Sequence, residues 1–135
     1  MKKLLFALAT IGIFAAAAVA APSFTLKARV PFDFAIGGNN LAAGVYTIEP
    51  QSNPDIYMIR DAAGHVKGLF TANRVYTVNG DQSPMLVFNK YGDRYFLSRV
   101  WPAIGTGAQL NKTKIERELV AAAPVEQVMV AAIYR

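Results

Sequence analysis

His65 is the one histidine in a chain of 135 residues that contains no cysteine. A histidine can ligate a metal or move protons, but either task needs partners, and here only carboxylates remain to supply them. His65 follows the turn-forming stretch Asp61-Ala62-Ala63-Gly64 and reads as a solvated turn residue, so no metal site is expected. Ser23, Ser52, Ser83 and Ser98 all lie outside any Gly-x-Ser-x-Gly elbow, the strained turn that presents a nucleophilic hydroxyl. Paired-carboxylate catalysis needs two acids that meet in space with different pKa values. Asp33, Asp61, Asp81 and Asp93 instead fall at turns or on the polar side of a strand, where such residues bond their own backbone. Gly105-Thr106-Gly107 lacks the Lys-Ser/Thr of a phosphate loop. Asn111-Lys112-Thr113 spells a glycosylation sequon at the start of an expected helix and reads as capping. The expectation is a protein without catalytic residues, metal or cofactor, and not an enzyme.

Binding is better served. Tyr95, Arg99 and Trp101 share one parity of an expected strand, with Leu97 between them. Aromatic faces beside a guanidinium can stack on a sugar, a lipid head or a partner's side chain. The competing reading turns Phe96, Ser98 and Val100 to solvent and sends Trp101 into the core. It is the favoured one, because tryptophan is mostly buried in folded proteins.

The elements that must position these residues are strands. From Phe24 to Ile36, the residues Phe24, Leu26, Ala28, Val30, Phe32, Phe34 and Ile36 alternate with Thr25, Lys27, Arg29, Pro31, Asp33 and Ala35. Strand side chains alternate between faces, so this is a ribbon with one apolar and one polar side. Pro31 lacks an N–H, which places the ribbon at an edge or breaks it at a bulge. Gly37-Gly38-Asn39-Asn40 reverses the chain. Further strands are expected at Val45–Glu49, Ile56–Arg60, over His65–Val78 as one bent or two short strands, at Met85–Asn89 and at Arg94–Trp101. Asn79-Gly80-Asp81 is a hairpin signal, Lys90-Tyr91-Gly92-Asp93 a turn, and Pro102–Gly107 reads as loop. Only then does the period change. Thr113 and Glu116 have capping-box spacing, and Ile115, Leu119 and Val120 line one side of a helix over about 112–122. A closing strand follows over about 125–134. The expected fold class is all-β, an antiparallel sandwich or small barrel with neighbouring strands paired as a meander, and one short helix near the C-terminus.

Met1-Lys2-Lys3 precedes an uncharged apolar run from Leu4 to Val19, and Ala18-Val19-Ala20 has the small-x-small pattern of a cleavage site. Residues 1–20 are read as a signal peptide cut between Ala20 and Ala21, leaving 21–135 as a single β-rich domain. The competing reading is an uncleaved anchor, for which the run is slightly short of the about 20 residues a spanning helix needs. Without Lys2 and Lys3 the formal net charge falls from +5 to +3, and the remaining basic residues are spread along the chain. That is no nucleic-acid footprint, though a weak attraction to anionic surfaces remains. An exported chain without cysteine must draw its stability from its core.

Val30-Pro31-Phe32-Asp33-Phe34, Leu41 to Ile48, Leu86 to Leu97, Trp101 and Glu116-Arg117-Glu118-Leu119 together resemble a group of small, exported, β-rich bacterial proteins over nearly the whole mature chain. Members of that group commonly carry proline where Ala42 or Ala43 precedes Gly44, a departure that lowers turn rigidity. The resemblance implies a secreted β-rich domain, periplasmic or extracellular. It implies no activity and carries over no catalytic residue. The function expected is that of a non-enzymatic binding module for an envelope glycan, lipid or protein, without a stable membrane span once the leader is removed. A barrel carrying a small apolar ligand and a carboxylate hydrolase are the alternatives.

Overall fold

The computed structural model describes residues 25–77, 83–103 and 106–134. The leader with its Ala20–Ala21 junction, Ser23, Phe24 and the Asn79-Gly80-Asp81 turn lie outside them. The described chain forms β1 (Leu26–Val30), β2 (Phe34–Ile36), β3 (Asn39–Leu41), β4 (Gly44–Pro50), β5 (Ile56–Asp61) and β6 (Val66–Tyr76). It continues as β7 (Met85–Tyr91), β8 (Arg94–Ala103), β9 (Thr106–Leu110), α1 (Lys114–Ala122) and β10 (Glu126–Tyr134).

Eight strands close into an antiparallel barrel in the order β1-β4-β5-β6-β9-β8-β7-β10, with β10 returning to β1. Consecutive strands pair as a meander within two blocks, β4-β5-β6 and β7-β8-β9. The blocks meet through β6 and β9 rather than β6 and β7, and α1 carries the chain from β9 to β10. An eight-stranded barrel is just wide enough for side chains to fill. Here they do. Leu26, Ala28, Val30, Ile48, Ile59, Phe70, Leu86, Phe88, Leu97 and Val100 point inward into one contiguous core.

The opening ribbon keeps its rhythm but not its continuity. Pro31–Asp33 interrupts it, yet Leu26, Ala28, Val30, Phe34 and Ile36 all enter that same core, and Phe32 packs against it. The chain then turns back through Gly37, whose φ of 56° suits glycine, into β3. At the β5–β6 turn, Asp61 accepts the amide of Gly64 through its carbonyl and the amides of Ala63 and His65 through Oδ1. Residues His65–Val78 were open to two readings, and β6 is one strand of 11 residues. Its first half pairs with β5 and its second with β9.

Three expectations need correction. Pro102–Gly107 is not all loop: β8 runs to Ala103 and β9 begins at Thr106. The helix begins at Lys114, two residues later than expected, with Thr113 as its cap accepting the amide of Glu116 at 3.2 Å. Its barrel-facing side is Glu116 and Leu119, whereas Ile115 and Val120 are exposed.

Candidate functional site

β2 and β3 form a small hairpin outside the barrel ring. A single register pair, Ala35 with Phe96, joins β2 in parallel to β8, and β3 pairs only with β2. Side chains hold the hairpin more than backbone does. Phe34, Ile36 and Leu41 enter the core, and Phe88 meets the edges of both Phe32 and Phe34 with ring centroids 4.9 and 5.3 Å away. Asp33 fixes the connection behind the hairpin by accepting the amide of Ala43 at 2.8 Å.

Between the base of this hairpin and the β7–β8 turn lies a groove of about 370 Å³. Asp33, Asn40, Asp93 and Arg94 line it with Tyr95 and Phe96. Two carboxylates, an amide and a guanidinium therefore share one shallow space, with aromatic rings along its side. The turn that presents Asp93 and Arg94 uses Gly92 at φ 60°, a conformation that glycine adopts without Cβ strain. Arg94 lies over the Phe96 ring at 5.4 Å.

The three expected binding residues part company. A bulge places Val87 opposite Arg99 and Phe88 opposite Leu97, so Ser98 is an extra residue in β8. The bulge reverses the phase of the strand. Tyr95 and Leu97 turn inward before it, and Arg99 and Trp101 turn outward after it. Tyr95 stacks on Phe32 with centroids 3.8 Å apart and lies 5.6 Å from Lys90 Nζ, so it borders the groove as a packed ring. Trp101 is only 4 % exposed and lies over Gly107, where a Cβ would run into its indole. Arg99 is half-buried beside Val87 and Gln109, and its Nε has no hydrogen-bond partner. Tyr95, Arg99 and Trp101 do not share an exposed face; only Tyr95 borders the groove.

On the outer side of β7 is a polar cluster that sequence reasoning missed. Glu116 of α1 is 4 % exposed and accepts hydrogen bonds at Oε1 from Asn89 Nδ2 and the Tyr91 hydroxyl, each 3.1 Å long. Burial first, and then the adjacent Glu116 carboxylate, push the Tyr91 hydroxyl up to about 12. Leu119 completes the contact against Ala35, Tyr91 and Phe96. The capping spacing of Thr113 and Glu116 was visible, but the partners of Glu116 lie 25 and 27 residues away in sequence. This cluster fastens the helix and offers no open approach to a ligand.

His65 Nδ1 lies 3.4 Å from Asp61 Oδ2 on an exposed turn. The amide of His65, first among several neighbours, holds the Asp61 carboxyl below the ordinary carboxylate range. Among the described residues no group of three or more His, Asp and Glu gathers to hold a metal, and no helix is long and apolar enough to cross a membrane. Asn111 of the sequon accepts a hydrogen bond from Asn73, while Thr113 caps α1. Comparison with protein-family models, with curated proteins and with solved structures finds no significant match.

Proposed function

We propose that this protein is an exported, non-enzymatic binding module that takes a polar ligand, an envelope glycan or a segment of a partner protein, in the groove beside the β2–β3 hairpin. The observation that carries this reading is the convergence of Asp33, Asn40, Asp93 and Arg94 on one open space at the rim of a filled barrel. Donors and acceptors of both signs, spread over a shallow surface, suit a ligand that is itself rich in hydroxyls or amides. The filled interior counts against the carrier of an apolar ligand, which would need an inward cavity. Asp33 and Asp93 border the same groove, as a hydrolase would require, but Asp33 is engaged by the amide of Ala43 and serves its turn.

The test uses the exported protein and a charge-exchanged variant, Asp93→Lys with Arg94→Glu, at two exposed positions where the β7–β8 turn enters β8. Each is titrated with soluble cell-wall glycan fragments and with peptides from digested envelope proteins while backbone amide shifts are followed. The expected result is a set of shifts confined to Asp33, Asn40 and Asp93–Phe96, absent in the variant. Shifts of equal size in both proteins would overturn the assignment.

A further inference from the structure

A second part of the barrel wall carries a surface of a different kind. On the outer faces of β10, β1 and β4, Met129 and Ile133 are 65 % and 61 % exposed, and Lys27 and Arg29 are exposed beside them. The register makes Ile133 a neighbour of the cations, while Met129 lies further along β10 opposite Val87: Lys27 faces Ile133 on one side and Thr47 on the other, and Arg29 faces Val45. A shallow groove of about 380 Å³ lies between them, lined by Lys27, Arg29, Val45, Ala131 and Ile133. Two cations and the exposed Ile133 thus share this groove, with Met129 exposed on the same side of β10.

The charge balance of this face is one-sided. Glu49 is the carboxylate on the outer side of β4, and it lies 3.7 Å from Arg60 of β5. Among the described residues Lys27 and Arg29 have no salt bridge, so the described face presents net positive charge to whatever approaches it. The chain also enters the barrel here. β1 begins at Leu26, and the sequence before it contains the apolar run Leu4–Val19 that signals passage through a membrane. From Val19 to Leu26 is seven residues, or at most about 25 Å of extended chain. A leader still attached would therefore end within that distance of the first residue of β1.

We infer that the outer face of β10, β1 and β4 is a docking surface for an anionic lipid bilayer, with Lys27 and Arg29 meeting the headgroups and Met129 and Ile133 entering the interface between headgroup and acyl chain. Basic residues near an anionic leaflet and apolar side chains at the headgroup boundary are the two contributions that hold a protein on a membrane without spanning it. The inference stands on its own observations and does not need the groove to bind anything.

The test is cosedimentation of the exported protein, leader removed, with vesicles of phosphatidylcholine alone and of phosphatidylcholine with phosphatidylglycerol. Binding to the anionic vesicles is expected to exceed binding to the neutral ones and to weaken as salt is raised. Lys27→Gln and Arg29→Gln are each expected to weaken it about fivefold. Met129→Ser with Ile133→Ser is expected to weaken it further while leaving the salt dependence in place. All four positions are exposed, so circular dichroism should show unchanged folding. Equal binding to both vesicle types, or no loss in the Lys27→Gln/Arg29→Gln protein, would overturn the inference. The Asp93→Lys/Arg94→Glu protein should bind vesicles like the parent, so failure of the groove reading and failure of this one are separately visible.

Discussion

Two attachments meet at Phe96 of β8, and they are fastened in opposite ways. The strap α1 is tied by a buried carboxylate that accepts two side-chain hydrogen bonds, by a capped N-terminus and by Leu119. The hairpin β2–β3 is tied by one parallel register pair and by the rings of Phe32 and Phe34 on Phe88. A buried polar network is costly to break in part, since each group left without a partner carries its full desolvation penalty. An apolar contact yields more gradually, and a short strand with few ladder bonds opens at lower free energy than the body of a sheet. The groove of polar side chains lies against the hairpin and not against the strap. The contrast teaches that here the firmly locked polar groups serve the fold, whereas the candidate binding groups are shared between the lightly tied hairpin side, with Asp33 and Asn40, and the β7–β8 turn, with Asp93 and Arg94.

The largest effect should come from the ring that both anchors the hairpin and fills the barrel. Phe88 is fully buried, so Phe88→Ala is expected to lower stability by about 3–5 kcal/mol. Denaturant unfolding measures this, and a loss below about 1 kcal/mol would break the picture of a filled interior. On the strap side, Glu116→Ala leaves the Tyr91 hydroxyl and the Asn89 amide without their acceptor. The expected cost is about 2–3 kcal/mol, with faster exchange of α1 amides than of β4 amides. The smallest effect sharpens the same contact by pH. Tyr91 keeps its proton up to about 12 in the fold, whereas an unfolded tyrosine loses it near 10. The folded state thus holds more protons between those values, so this contribution is complete below pH 10 and is lost as pH rises through 12. Thermal unfolding of the parent and of Tyr91→Phe over that range should show the steeper fall in the parent.

Much of the fold was legible because local chemistry and barrel geometry agree. The alternation from Leu26 to Ile36 specified an inward face, and it survives the break at Pro31–Asp33 because both pieces border one core. The Asp61–Gly64 turn and the Thr113 cap followed from side chains that bond nearby backbone. What escaped was set by distant partners. Thr106-Gly107-Ala108 has the composition of a loop, yet it forms β9 and closes the ring, since Gly107 leaves the space that the Trp101 indole fills. Ser98 carries no local mark of a bulge, so the parity that grouped Tyr95 with Arg99 and Trp101 could not show that they face opposite ways. The groove was legible only in parts. Asp33 was read on the polar side of the opening ribbon and Asp93 in a turn, but their convergence depends on how the hairpin docks 60 residues earlier in the chain than the β7–β8 turn.

Native-state amide hydrogen exchange compares the two attachments most directly. The amides of β7 and of α1 should exchange only through global unfolding, while those of β2 and β3 should exchange through a local opening of lower free energy that denaturant barely affects. Hairpin amides as well protected as those of β7, with the same denaturant dependence, would contradict the account.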